Sequence, residues 1–121
     1  MPAPNLFLIY VRDAEAATTF YRDLFEIEPT FTSPRYIAFE IVPGVLFALW
    51  TGRNEHAVPS TPRTSEVGLM VAGSASSVDE IYAQWVAKGV RVVEEPHDDV
   101  FGRTFVVTDL DGNLIRVSPV D

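Results

Sequence analysis

Short apolar runs alternate along this chain with stretches whose apolar residues recur every three to four positions, the pattern of strands interleaved with amphipathic helices. Leu6 to Val11 is a continuous apolar run of strand-forming residues, and Asp13 follows it as a helix N-cap. From Ala14 to Phe25, the residues Ala17, Phe20, Tyr21, Leu24 and Phe25 form one stripe, with Glu15, Arg22 and Asp23 off it. Pro29, Ser33 and Pro34 break that period. Arg35 to Val42 then reads as a second strand, Pro43-Gly44 as a turn, and Val45 to Thr51, which includes Trp50, as a third strand. Gly52 to Ser65 has no apolar period and holds Asn54, Pro59, Ser60, Thr61 and Pro62. That is the signature of a surface connection, and connections of this length usually serve as linkers or lids.

The second half begins again with a strand, Glu66 to Val71. Gly73 to Ser77 is a polar turn, and Ser77 with Glu80 matches a capping box. Val78, Ile81, Tyr82, Trp85 and Val86 make a helical stripe that Lys88-Gly89 closes. Val90 to Val93 reads as a short strand, Glu94 to Gly102 as an acidic loop, and Arg103 to Thr108 as a strand. Asp111, Gly112 and Asn113 suit a tight reversal before a last buried strand, Leu114 to Val117. Arg116 lies within it, an obligatory cation with apolar neighbours, and a buried guanidinium is costly unless something pairs with it.

The halves repeat. Val11 aligns with Val71 at a shift of 60, Phe20-Tyr21 with Ile81-Tyr82 at 61, and Leu46 to Leu49 with Leu114 to Val117 at 68. Two copies of one βαβββ unit account for this, giving an α+β fold in a single domain, residues 1–121. The first module covers about 5–52, a linker about 53–65, and the second module about 66–121.

Composition narrows the chemistry. With 121 residues, 47% of them hydrophobic, the chain can build one core. A formal net charge of -8 argues against nucleic acid and anionic membrane surfaces as partners and favours cations. Cysteine is absent, so there is no disulfide, thiolate nucleophile or thiolate-bound metal. The N-terminus has no basic, apolar leader, and no run approaches the ~20 apolar residues of a membrane span. The expectation is a cytoplasmic, soluble protein.

The strand ending Val11-Arg12-Asp13, the helix with Phe20-Tyr21-Arg22-Asp23-Leu24, Lys88-Gly89-Val90, Phe101-Gly102-Arg103 and Asp109-Leu-Asp-Gly-Asn113 together resemble the vicinal oxygen chelate superfamily. Its members include glyoxalase I, extradiol dioxygenases, and fosfomycin, bleomycin and mitomycin resistance proteins. The resemblance covers nearly the whole chain. It implies paired modules curling into a cup with helices on the outer face, completed in a homodimer whose modules are often exchanged between chains.

The resemblance also implies where a divalent metal would bind. Metal-dependent relatives use positions that correspond here to Leu6, Ala48, Glu66 and Arg116. Leu6 and Ala48 have no donor atom and Arg116 would repel a cation, so no metal and no other cofactor is expected. Glu66 and Arg116 are instead matched as a charge-assisted pair. The alternative is that Glu66 begins a strand at the surface while Arg116 snorkels outward. His97, in Pro96-His-Asp-Asp99, reads as part of a solvated charge run, and His56 lies in the midpoint connection. No nucleophile and base stand at a recognisable spacing, so no catalytic residue is assigned.

Strand alternation places Leu6, Leu8 and Tyr10 together, Leu46, Ala48 and Trp50 together, and Glu66, Gly68 and Met70 together. Phe39 joins the Trp50 face if the Pro43-Gly44 connection is even; an odd count brings Ala38 and Glu40 there instead. The resemblance adds Phe101 and Arg103. The candidate ligand-binding residues are therefore Tyr10, Phe39, Trp50, Glu66, Met70, Phe101, Arg103 and Arg116, while Phe20, Phe25, Tyr82 and Trp85 read as core. This set suits a planar aromatic antibiotic or metabolite, neutral or cationic, bound without metal, as the resemblance to the bleomycin and mitomycin resistance proteins implies. Two alternatives stand beside it: a lyase or isomerase of the same superfamily using Glu66 as base, and a regulatory module with no ligand.

Overall fold

The computed structural model describes residues 2–121, and they divide into two compact units, one extending to Thr61 and the other running Pro62–Asp121. Each is a βαβββ module containing one helix and one mixed four-stranded sheet, so the fold is α+β with eight strands and two helices among the described residues.

The first unit runs β1 (Leu6–Tyr10), α1 (Ala14–Phe25), β2 (Phe31–Thr32), β3 (Tyr36–Val42) and β4 (Val45–Trp50), with sheet order β1-β4-β3-β2. β1 lies parallel to β4, and the other neighbours are antiparallel. α1 starts where the sequence supplies a cap: Asp13 Oδ1 accepts a hydrogen bond from the Ala16 amide at 3.0 Å. It ends at Glu26, whose left-handed backbone (φ 56°) breaks the helical path. The stripe of α1 buries Ala14, Ala17, Tyr21 and Leu24. Tyr21 meets Phe47 of β4 edge-on at 5.0 Å between ring centroids, and Phe39 of β3 stacks on Phe47 at 6.1 Å. These rings fix the helix-side face of the sheet.

The second unit repeats the plan with β5 (Glu66–Val71), α2 (Ala75–Ala87), β6 (Arg91–Asp99), β7 (Gly102–Thr108) and β8 (Leu114–Pro119), in sheet order β5-β8-β7-β6. Phe105 of β7 is fully buried between Tyr82 at 5.2 Å and Trp85 at 5.6 Å, both edge-on. The four helix aromatics expected in the core thus pack there or against it, Phe20 and Phe25 through the Tyr21 ring.

Three expectations change. β2 is an additional two-residue strand at Phe31–Thr32, too short to register as a run in the sequence. α2 begins at Ala75 with Ser74 at the N-cap, so Ser77 lies in the first turn and no capping box forms; Ser74 makes no side-chain cap bond. The expected acidic loop is strand: β6 continues through Glu94, His97, Asp98 and Asp99, pairing with β7 as far as Gly102. Polar, proline-containing residues are tolerated because the ladder shifts register between Val92 and Glu94 and again between Glu94 and His97, so Pro96 need not donate to it.

The reversal before β8 is tied by Asp109. Its Oδ1 accepts from the Asp111 and Asn113 amides at 2.9 and 2.8 Å, and its Oδ2 from Asn113 Nδ2 at 2.9 Å. Gly112 takes the left-handed conformation (φ 88°) that closes the turn. Arg63 reaches the same turn, donating from Nη2 to the Asp111 carbonyl at 2.6 Å and from Nε to Asn113 Oδ1 at 3.2 Å. Among the described residues no helix is long and apolar enough to cross a membrane.

Candidate functional site

Two sheet faces carry the candidate residues, one in each unit, and both lie on the side away from the helix. In the first unit, β1 and β4 are in register so that Leu6 neighbours Leu46, Leu8 neighbours Ala48, and Tyr10 neighbours Trp50. The Tyr10 and Trp50 rings approach edge-on at 6.2 Å. His56, on a single 3-10 turn at Asn54–His56, brings its ring to 6.3 Å from Tyr10. The Trp50 indole lies against Gly52 so closely that a Cβ there would overlap the ring, so the glycine is what lets the indole lie down.

Phe39 is not on this face. The Pro43-Gly44 connection is two residues long, as an even count requires, but β3 and β4 shift register between Glu40 and Val42. That one-residue bulge reverses the alternation upstream, so Tyr36 lies opposite Trp50, Ala38 opposite Ala48, and Glu40 opposite Leu46. Phe39, only 1% exposed, faces α1 with Phe47 and is core. Its place is taken by residues not singled out from the sequence. Phe31 of β2 pairs with Ala38 on this face, is 55% exposed, and places its ring 5.9 Å from that of Tyr36. Phe31 lies in a strand too short to register as a run in the sequence, and Tyr36 can be placed only by knowing the bulge.

In the second unit, the corresponding face is polar. Glu66, Gly68 and Met70 of β5 neighbour Leu114, Arg116 and Ser118 of β8, and Arg116 lies opposite Val106 of β7. The expected ion pair forms as a two-pronged fork: Arg116 Nε donates to Glu66 Oε1 at 2.7 Å and Nη2 to Oε2 at 3.0 Å. Arg116 Nη1 donates to Thr104 Oγ1 at 3.2 Å, and the Phe101 ring centroid stands 4.9 Å from the guanidinium carbon. Thr104 in turn donates to the Val117 carbonyl at 2.8 Å. The hydrogen bonding that Arg116 donates to Glu66 raises the Arg116 pKa above its ordinary value; burial opposes this, and the charges of Glu66, Glu94 and Asp99 reinforce it.

Glu94 and His97 of β6 share this face, opposite Val106 and Thr104. His97 Nδ1 lies 2.8 Å from the Glu95 carbonyl oxygen, while Nε2 sits 3.5 Å from Glu94 and 3.7 Å from Asp99. Gly68 leaves open space above the sheet between Glu66 and Met70, with no atom within 4 Å of where a Cβ would stand. Met70 is 60% exposed. Arg103 does not join the set: alternation turns it to the helix side, where its Nε donates to Asp79 of α2 at 3.0 Å.

The sequence profile of the Glyoxalase/Bleomycin resistance protein/Dioxygenase superfamily matches residues 3–117, and the chain belongs to that superfamily. It is 45% identical over 121 residues to the phenazine antibiotic resistance protein EhpR of Enterobacter agglomerans, covering 98% of this chain and 92% of that protein. The solution structure of protein ATC0852 from Agrobacterium tumefaciens is similar at 29% identity and a TM-score of 0.78, covering 100% of this chain and 99% of that one. The fosfomycin resistance protein FosX of Listeria monocytogenes shares the fold, with a TM-score of 0.77 at 18% identity, covering 100% of this chain and 95% of that one.

The side chains at the four positions that the sequence resemblance gives to a metal do not suit a divalent ion. Leu6 and Ala48 provide no donor atom, Arg116 is a cation, and both Glu66 oxygens already accept from it. Among the described residues, no three histidine, aspartate or glutamate side chains are grouped to hold a metal.

Proposed function

We propose that the protein confers resistance in the cytoplasm by binding a planar aromatic antibiotic of the phenazine type, without a metal and without altering it. The observation that carries this reading is the aromatic wall of the first unit, where the half-buried Trp50 and Tyr10 line a sheet face together with the exposed Phe31, Leu6 and Leu8. Such a wall offers stacking and apolar contact to a flat ring, at about 0.5–1.5 kcal/mol per aromatic pair beyond area burial. Homology to a phenazine resistance protein over nearly the full length supports the same ligand class. We also propose a homodimer, because β1 and β5 are sheet edges that leave Leu6, Phe7, Leu8 and Met70 exposed, and a second copy would remove that apolar surface from water.

Calorimetric titration with phenazine, followed by mass analysis of the recovered compound, tests the reading. Saturable, stoichiometric binding with the compound unchanged is expected. Turnover that disappears in Glu66→Gln would instead establish an enzyme using that carboxylate as base. Sedimentation equilibrium tests the dimer, which a monomer at micromolar concentration would refute.

A further inference from the structure

Gly52 has no conformational reason to be glycine. The glycines with positive φ are Gly44, Gly73, Gly89, Gly102 and Gly112, so Gly52 lies outside the backbone region that only glycine adopts freely. What position 52 requires is space. A Cβ there would overlap Cζ2 and Cε2 of the Trp50 indole, whereas at Gly44, Gly68 and Gly89 the same atom would meet nothing within 4 Å.

The chain is tied on both sides of Gly52. Before it, the Thr51 amide donates to the Arg35 carbonyl at 3.0 Å, and the Thr51 hydroxyl accepts from Arg35 Nε at 3.2 Å. After it, the 3-10 turn at Asn54–His56 is closed by His56 donating to the Arg53 carbonyl and Ala57 to the Asn54 carbonyl, both at 3.0 Å, and Ala57 is fully buried. An added side chain would therefore be relieved by movement of the ring and not of the backbone. Tyr10 of β1 and Tyr36 of β3 hold the register positions on either side of Trp50. A change of rotamer that frees the indole from residue 52 thus carries it outward from the sheet, into the space a stacked ring would use.

We infer that Gly52 is a positioning residue for the aromatic face: by having no side chain it lets the Trp50 indole lie down beside Tyr10, and any larger residue turns the indole into the place of the ligand. This rests on the reading that the aromatic wall of the first unit binds a planar compound. Gly52 acts through Trp50 and needs no contact with the ligand. Every residue involved belongs to the first unit.

The test compares the native protein, Gly52→Ala, Trp50→Leu and the double variant. Phenazine affinity is measured by calorimetry, and the indole N–H resonances of the free proteins by nitrogen–proton correlation spectra. Gly52→Ala is expected to weaken phenazine binding by about tenfold or more. It should also move the Trp50 indole resonance and leave in place that of Trp85, which is buried against Phe105 in the second unit. Leucine lacks the ring atoms that the Cβ would overlap, so in Trp50→Leu the same glycine change should shift the melting temperature by no more than about 2 °C. A larger drop there would overturn the inference, because the glycine would then serve something other than the indole. So would an unmoved Trp50 resonance, or phenazine affinity in Gly52→Ala within about twofold of native, and either would leave sequestration standing. If Gly52→Ala alone fails to fold, the double variant should fold, and its failure too would overturn the inference. No phenazine binding by the native protein would overturn the sequestration reading and this role of Gly52 with it.

Discussion

The two units share one topology and one register, yet their faces away from the helices have opposite character. Leu6, Leu8 and Tyr10 against Leu46, Ala48 and Trp50 in the first unit correspond to Glu66, Gly68 and Met70 against Leu114, Arg116 and Ser118 in the second. At the positions where one unit has leucine and alanine, the other has glutamate and arginine; where one has tryptophan, the other has serine. The helix-side faces diverge far less, with Phe47 and Leu49 matched by Ile115 and Val117, all buried. A duplicated scaffold thus keeps its core chemistry, which packing constrains, and varies the alternate residues, which packing leaves freer.

The largest effects should fall where the units are alike. Phe105→Ala and Phe47→Ala each remove a buried ring from a helix–sheet contact and should each cost about 3–5 kcal/mol in chemical denaturation. A cost confined to one unit would break the equivalence of the two cores.

Smaller effects should appear where the units differ. Glu66→Ala leaves the mostly buried Arg116 without its main partner and should cost about 1–3 kcal/mol, after allowing for the solvent that reaches Glu66. Leu6→Ala, at the equivalent position, removes only a half-exposed side chain and should cost about 1 kcal/mol or less. The arginine's folded-state pKa is raised, so its contribution is fully present below the ordinary arginine value and is lost only in strong alkali. The gap in unfolding free energy between the native protein and Arg116→Met should therefore show no step from the arginine across the neutral range.

The smallest difference concerns the helix starts. Asp13→Ala deletes a side-chain cap and should cost about 1 kcal/mol, while Ser74→Ala, where no cap bond exists, should cost less than about 0.5 kcal/mol. Thermal unfolding of the two variants side by side would resolve it.

The modules were legible in the sequence because their signals are local: apolar period, capping aspartate, glycine turns and a repeat with nearly constant offsets. The Glu66–Arg116 pair is legible because a cation in an apolar strand requires a partner and the resemblance to the vicinal oxygen chelate superfamily points to Glu66. Phe39 and Arg103 face the helix side for a reason the sequence hides, that facing depends on parity. A bulge near Glu40 reversed one side, and a motif fixed the position of Arg103 without fixing its direction. The part of β6 from Glu94 to Asp99 reads as a loop because its acids, histidine and proline lack strand propensity, and only pairing with β7 makes them a strand. Phe31 escapes a sequence reading because a two-residue edge strand leaves almost no periodic trace, and Tyr36 because its facing depends on the bulge.

The comparison stands or falls on whether the aromatic face of the first unit receives a ring. The direct measurement is the dissociation constant of phenazine for the native protein and for Trp50→Ala, with unchanged far-ultraviolet circular dichroism as the check on folding. Saturable binding by the native protein is expected, with affinity weakened by about tenfold or more in the variant. Equal affinity in the two proteins would contradict it and move the ligand away from this face.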